Sequence, residues 1–157
     1  MHMAATLKRS LEQAQCEFDI VPHPHSETSL ESARVASVPA ERLAKPVILD
    51  DRKGHYLMAV LPANRHLDMS MVCKGDELWH LSAEADIASL FKDCELGAVP
   101  AIGEAYGMNM RVDPLLTRQE DIYFEAGDHE SLVHLSTEQF LKLVPRAEVC
   151  ELCPQPG

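Results

Sequence analysis

Asp93-Cys94-Glu95-Leu96-Gly97-Ala98-Val99-Pro100-Ala101-Ile102-Gly103 is a turn punctuated by glycine and proline and framed by apolar residues. Glycine lacks the Cβ that would hold a ligand off, so such a turn can bring backbone N–H groups close to a substrate. Before it, residues 82–91 have a helical pattern, with Ser82 as the expected N-cap and Ile87, Leu90 and Phe91 on the buried stripe. After it, residues 108–112, 122–125 and 132–135 read as strands. Ser136 and Gln139 then form a capping box for a closing helix that buries Phe140, Leu141 and Val144 and stops at Pro145.

Upstream, residues 6–15 place Leu7, Leu11 and Ala14 on one helical face. Residues 17–21 suit a short strand. Pro22-His23-Pro24-His25-Ser26 is a loop, because neither proline suits a helix interior or a central strand. Thr28 and Glu31 form a first capping box, opening a helix with Leu30, Ala33 and Ala36 inward. Two apolar runs, 46–49 and 55–61, flank Asp50-Asp51-Arg52-Lys53-Gly54 and predict a hairpin; residues 78–81 add a short strand. The order of helices, then strands, then a helix departs from βαβ alternation. It predicts an α+β fold with a mixed, partly barrel-like sheet and helices packed outside. Residues 1–145 are read as one domain and 146–157 as a loose tail without periodicity.

Bulk properties narrow the function. The 157 residues are 46% hydrophobic and 25% charged, which suits one globular domain with a real core. No apolar run approaches a membrane span. The start has no signal-peptide pattern, so the cytoplasm is the expected compartment; Met1-His2-Met3 reads as a cloning remnant, with Met3 the expected start. Five widely spaced cysteines are expected to be reduced. A net charge of −11 argues against broad binding to nucleic acid, DNA included. It leaves room for a local basic patch drawn from Arg34, Arg42, Lys45, Arg52, Lys53, Arg65 and Arg111.

From about Phe18 to Val144 the chain resembles the YbaK/prolyl-tRNA-synthetase-associated family of aminoacyl-tRNA editing domains. The matching pieces are Leu43-Ala44-Lys45, Ala59-Val60-Leu61-Pro62-Ala63 and Leu67-Asp68. Then come Leu90-Phe91-x-Asp93-Cys94-Glu95-Leu96-Gly97-Ala98-Val99-Pro100, Val112-Asp113, and Phe124-Glu125-Ala126-Gly127-Asp128-His129. The resemblance implies a metal-free and cofactor-free hydrolase that removes the wrong amino acid from the 3′ CCA end of a tRNA. It would work in trans, since no synthetase core accompanies the domain, with a synthetase as an expected partner. Alanyl-tRNA(Pro) is the implied substrate, with cysteinyl-tRNA(Pro) next.

The resemblance also assigns roles. Lys45 matches the family lysine, whose compact charge suits a phosphate or the charge developing at the ester; residue type alone favours a lysine guarding a strand edge, and the Leu43-Ala44-Lys45 entry with the later loop favours the functional role. Gly97 would contribute to an oxyanion site, with Ala98, Val99, Pro100 and Ala101 holding the aminoacyl group. The usual family pattern is G-x-x-x-P, whereas here the proline arrives one residue early and Ala101 takes its place. Asp113 either orients the substrate amino group or caps the Pro114-Leu115-Leu116 turn. His129 either positions water or the terminal ribose, or is a loop histidine. No Ser-His-Asp or Cys-His set is evident, and in the family the terminal ribose hydroxyl of the tRNA assists.

Other groups read as structural. Cys94 follows a helix C-terminus between Asp93 and Glu95, which disfavours a thiolate. Cys150-x-x-Cys153 is half a zinc pattern, without the second ligand pair a structural site needs. Trp79, Met69, Met71, Met108 and Met110 suit core or pocket walls, and no phosphate-binding glycine fingerprint is present. The competing functions are a noncatalytic module that binds a tRNA end, an amino acid or a protein, and a zinc-dependent hydrolase.

Overall fold

The hairpin expected around residues 50–54 is the centre of the molecule. In the computed structural model, which describes residues 3–156, strand β2 (Ala44–Asp50) pairs antiparallel with β3 (Tyr56–Pro62), Ala44 opposite Pro62 and Asp50 opposite Tyr56. The Met1-His2 part of the presumed cloning remnant, and Gly157, lie outside the described residues. β4 (His80–Leu81) adds antiparallel to β2; β5 (Asn109–Val112) adds parallel to β3, and β8 (Glu148–Val149) parallel to β5. The result is a mixed five-stranded sheet in the order β4-β2-β3-β5-β8.

A second sheet holds β1 (Asp19–Pro22), β7 (Ser131–Ser136) and β6 (Asp121–Glu125), all antiparallel, in the order β1-β7-β6. An isolated parallel bridge between Leu43 and Tyr123 joins the two sheets. The α+β class stands, while the β structure is two sheets that do not close into a barrel.

Among the described residues six α-helices complete the fold: α1 (Ala5–Gln13), α2 (Ser29–Ala36), α3 (Met69–Val72), α4 (Glu84–Leu90), α5 (Pro114–Thr117) and α6 (Thr137–Leu143). The main core gathers Leu7 and Leu11 of α1, Met58 and Val60 of β3, Phe124 of β6 and Phe140 of α6. The alternate β3 residues Leu57 and Ala59 face a second core with Leu49, Val72 and Leu152. A strand buried on both faces explains why β3 reads as an unbroken apolar run.

Both N-caps form: Thr28 Oγ1 accepts the Glu31 N–H and Ser136 Oγ the Gln139 N–H, each at 3.1 Å, while the Gln139 side chain accepts the Glu17 N–H instead of closing its box. Three expectations need correction. Ser82 does not cap α4; its hydroxyl donates to Asp50 Oδ2 at 2.7 Å across the sheet, and Ala83 stands at the N-cap without a side-chain bond. Leu30 points outward, 52% exposed, while Ser32 and Ala33 are the buried residues of α2. The loose tail is packed: β8 extends the sheet, and Leu152 and Cys153 are fully buried.

Candidate active site

The glycine turn begins where α4 ends. Phe91 is buried, its ring 4.5 Å from that of Tyr106, and the chain then reverses. Gly97 has φ +83°, a left-handed conformation that glycine adopts without strain. A Cβ there would lie 3.0 Å from His129 Cε1 and 3.1 Å from the Glu27 carbonyl oxygen. The turn is thus wedged between the β6–β7 loop and the loop preceding α2.

Past Gly97 the chain dives inward. Ala98, Val99, Pro100 and Ala101 are all buried, and Val99 and Ala101 join the main core beside Ala44, Val60 and Val112. Their side chains are packing groups. Glu95, Leu96 and Gly97 are exposed, and at Gly97 the loop can meet a ligand through its backbone. The Ala98 N–H is already given to the Glu95 carbonyl at 3.1 Å, and Pro100 has none.

His129 is the brace of this turn. It lies at φ +62° and is almost fully buried, and its Nε2 donates to the Leu96 carbonyl oxygen. A carbonyl can only accept, so Nε2 carries the hydrogen. His129 therefore reaches the loop rather than open solvent. Beside it, the His25 ring centroid lies 5.1 Å away, and His25 Nε2 is 2.7 Å from Glu27 Oε1. That hydrogen bond raises the His25 pKa above its ordinary value.

Lys45 stands in β2 opposite Leu61. Its half-buried ammonium donates to the Arg65 carbonyl. Burial pushes its pKa below the ordinary lysine value, against a smaller opposing pull from the neighbouring Cys153. Asp113 lies at the end of β5. Oδ1 accepts the Leu115 N–H at 2.8 Å and caps α5, while Oδ2 accepts the Leu152 N–H at 2.8 Å, with Cys153 Sγ at 3.4 Å and Gln155 Nε2 at 3.2 Å. Burial and Asp113 push the Cys153 thiol up to about 11. Asp113 thus does what the capping alternative requires, and a substrate amino group would have to displace the tail to reach it.

The structure sorts the expected site residues into two groups. Gly97 and His129 meet directly; Lys45, Asp113, Arg65 and the tail form the other group. Val99 and Ala101 share the main core with Ala44 and Val112, the sequence neighbours of Lys45 and Asp113. Among the described residues no hydrogen bond or ion pair joins Lys45 to Gly97 or His129. Cys94 is a structural thiol, pushed up to about 12 chiefly by burial. Among the described residues no group of His, Cys, Asp and Glu is arranged to hold a metal ion.

Sequence reasoning passed over the buried His23 and the buried chain in which Ser26 meets Ser32 at 2.6 Å and Ser32 donates to Glu125 at 2.5 Å. Glu125 falls inside a quoted matching piece, and a carboxylate at the end of an apolar strand was the available signal.

The aminoacyl-tRNA editing domain family matches residues 23–143. No curated protein sequence is significantly similar to the chain. Three solved structures share its architecture. A scaffold protein from epitope backbone grafting by computational design superposes with a TM-score of 0.82 at 18% identity, over 98% of this chain and 97% of that one. The hypothetical protein APE2540 gives 0.81 at 16%, over 95% and 99%. A protein described as a candidate trans-editing enzyme for prolyl tRNA synthetase gives 0.81 at 17%, over 97% of each. At these identities the likeness establishes the fold alone.

Proposed function

The chain belongs to the aminoacyl-tRNA editing domain family, and from that premise we propose that it is a trans-acting deacylase that hydrolyses the ester of mischarged tRNA. The observation that carries the reading is the braced glycine turn. Leu96 C=O and Gly97 N–H belong to one planar trans peptide and point in opposite directions. With His129 holding the carbonyl from inside, the Gly97 N–H is aimed away from the core, where an ester oxygen can approach.

In hydrolysis, water adds to the ester carbonyl, the carbonyl oxygen takes negative charge, and the bond to the ribose oxygen breaks. The free amino acid and a tRNA with its terminal hydroxyl restored result. Gly97 N–H serves the developing oxyanion; a preorganised donor of this kind is worth about 3 kcal/mol. Lys45 supplies positive charge for the 3′-terminal phosphate or the reacting ester. The water's proton passes by way of the terminal ribose hydroxyl, since His129 is enclosed. Selection of the aminoacyl group at this loop would be by size, which excludes large side chains and separates similar small ones weakly. Alanyl-tRNA(Pro) is the first substrate to try and cysteinyl-tRNA(Pro) the second.

The enclosure of Asp113 and the engagement of Lys45 with Arg65 favour the second reading, a noncatalytic module that binds the tRNA end. A panel of aminoacyl-tRNAs separates the two. Turnover of one or two species, lost by a factor of about 100 or more in a folded Lys45→Ala protein, is the expected result. Binding without turnover across the panel would establish the module instead.

A further inference from the structure

Asp113 is a fully buried carboxylate held by neutral donors alone. Its oxygens accept the Leu115 and Leu152 N–H groups, the Cys153 thiol and the Gln155 side-chain amide. Among the described residues no cation pairs with it. Buried charges are ordinarily paired, and here the Gln155 amide stands in the partner's place.

Gln155 fits that place badly. Its Nε2 lies 3.2 Å from Asp113 Oδ2 and 3.4 Å from Oδ1, and donates to the Cys153 carbonyl at 2.7 Å. Its Oε1 is buried and has no hydrogen-bond partner. Turning the amide over would set Oε1 against the carboxylate, two acceptors with no hydrogen between them. The surroundings of this amide therefore receive a donor and offer nothing to an acceptor. A primary ammonium has three N–H donors and no acceptor, so it would satisfy the carboxylate and leave no orphan.

The neighbouring strands bring positive charge to the same face. Lys45 is opposite Leu61 in the β2–β3 pair, and Val60 is opposite Val112 in the β3–β5 pair. Asp113, the next residue, donates its N–H to the Val60 carbonyl at 2.9 Å, which continues that register. Pro62 has no N–H to return the bond, so the ladder ends there. Lys45, Leu61 and Asp113 thus form a row on the face that carries Val47, Leu49, Leu57 and Ala59, the face of the second core that holds Leu152. Arg65 follows β3. Its carbonyl accepts from Lys45, and among the described residues its guanidinium makes no hydrogen bond or ion pair. Burial and Asp113 push the Cys153 thiol up while Arg65 and Lys45 pull it down, so the tail lies within reach of both signs of charge.

We propose that Gln155 is a placeholder for a primary ammonium: its amide occupies the Asp113 carboxylate in the free protein, and the α-ammonium of a ligand displaces it, with the rest of the ligand toward Lys45 and Arg65. Identifying that ligand as the aminoacyl group of a tRNA rests on the deacylase reading. The exchange leaves the core intact. Leu152 keeps its N–H on Asp113, and its carbonyl keeps the Asp68 N–H at 2.9 Å. Only the partly exposed end beyond the buried Cys153 swings out. A neutral hydrogen bond gives way to a charge-assisted one, about twice as strong. The placeholder lowers the ligand's apparent affinity by the fraction of molecules in which it is seated.

The test needs no turnover. L-alaninamide, a small α-ammonium without a carboxylate, is titrated into the full chain with 15N-labelled glutamine, and the Gln155 side-chain amide signals are followed. They are expected to shift, and N-acetyl-L-alaninamide, which lacks the ammonium, is expected to leave them in place. Gln155→Ala should bind L-alaninamide about three- to tenfold more tightly than the parent. Gln155→Lys supplies an ammonium from the tail itself and should bind it more weakly than the parent. An unmoved Gln155 amide, or equal affinity in the parent, alanine and lysine proteins, overturns the proposal. An equal gain for the acetylated compound makes Gln155 a steric cover and overturns it too. Deacylation then tests the link to the reaction: KM should fall about three- to tenfold in Gln155→Ala with little change in kcat. An unchanged KM in a protein whose L-alaninamide affinity has risen overturns the aminoacyl assignment. A parent inactive on every aminoacyl-tRNA refutes the deacylase reading and leaves the L-alaninamide titration to decide the placeholder.

Discussion

The carboxylate of Asp113 accepts the backbone N–H of Leu152 at 2.8 Å, tying the last described residues to the end of β5. The same side chain caps α5 through Leu115. Removing it leaves two backbone donors without partners, at about 1–3 kcal/mol each. Asp113→Ala is therefore expected to lower stability by about 3 kcal/mol in urea unfolding. Leu152→Ala, which hollows the second core, is expected to cost about 2–5 kcal/mol. Parent-like midpoints for both would show that the tail merely lies on the surface.

Gly97 tolerates no side chain. An alanine must hold a left-handed backbone, at roughly 1–2 kcal/mol, and its Cβ would press on His129 Cε1 and the Glu27 carbonyl. The turn must shift to accept it, and the peptide that His129 holds shifts with it. Gly97→Ala should lower the melting temperature by a few degrees and cut deacylation far more than the stability loss accounts for. A folded variant with parental kcat would exclude the Gly97 N–H from the reaction.

Acid should loosen the β5–β8 edge. Arg111 grips Glu77 with two nitrogens, at 3.0 and 2.9 Å, and holds its carboxyl down to about 2. A carboxyl depressed in the folded state contributes stability that is present above its ordinary range, near 4.5, and lost as pH falls toward about 2. Glu77 is about a third exposed, so solvent screening limits the effect to about 1 kcal/mol. Stability measured from pH 6 downward should decline less steeply in Glu77→Gln than in the parent over that window.

Cys94 should be inert. Burial holds its thiol near 12, and its sulfur sits 3.3 Å from the Tyr106 hydroxyl. Iodoacetamide at neutral pH should leave it unmodified while the protein is folded, and Cys94→Ala should deacylate like the parent. Rapid alkylation of Cys94, or loss of turnover in that variant, would restore it as a nucleophile.

What was legible in the sequence was local. Thr28 with Glu31 and Ser136 with Gln139 announce their helices because each cap bond spans only three residues. The hairpin of β2 and β3 is legible for the same reason. Ser82 looks like a cap until Asp50, distant in sequence, takes its hydroxyl. The tail looks loose because its anchor, Asp113, lies far upstream. His23, Ser32 and Glu125 come from three separate elements, and nothing in the spacing of one refers to another. Whether Lys45 works with Gly97 is a question of the same kind, because one lies in β2 and the other in a distant loop.

The pairing of β1 with β7 has a consequence for how the protein is made. Asp19 lies opposite His134, and the Ala4 N–H is bonded to the Ala126 carbonyl. A nascent chain emerging amino-terminus first therefore presents α1 and β1 long before their partners exist. The Leu7 and Leu11 face stays bare until β6, β7 and α6 have been synthesised. The β2–β3 hairpin can form early, but closure of the three-stranded sheet must wait for almost the entire polypeptide. Such long-range pairing slows folding and prolongs the time an apolar surface is exposed. Premature termination anywhere before residue 136 would thus yield an aggregation-prone fragment rather than a smaller working domain.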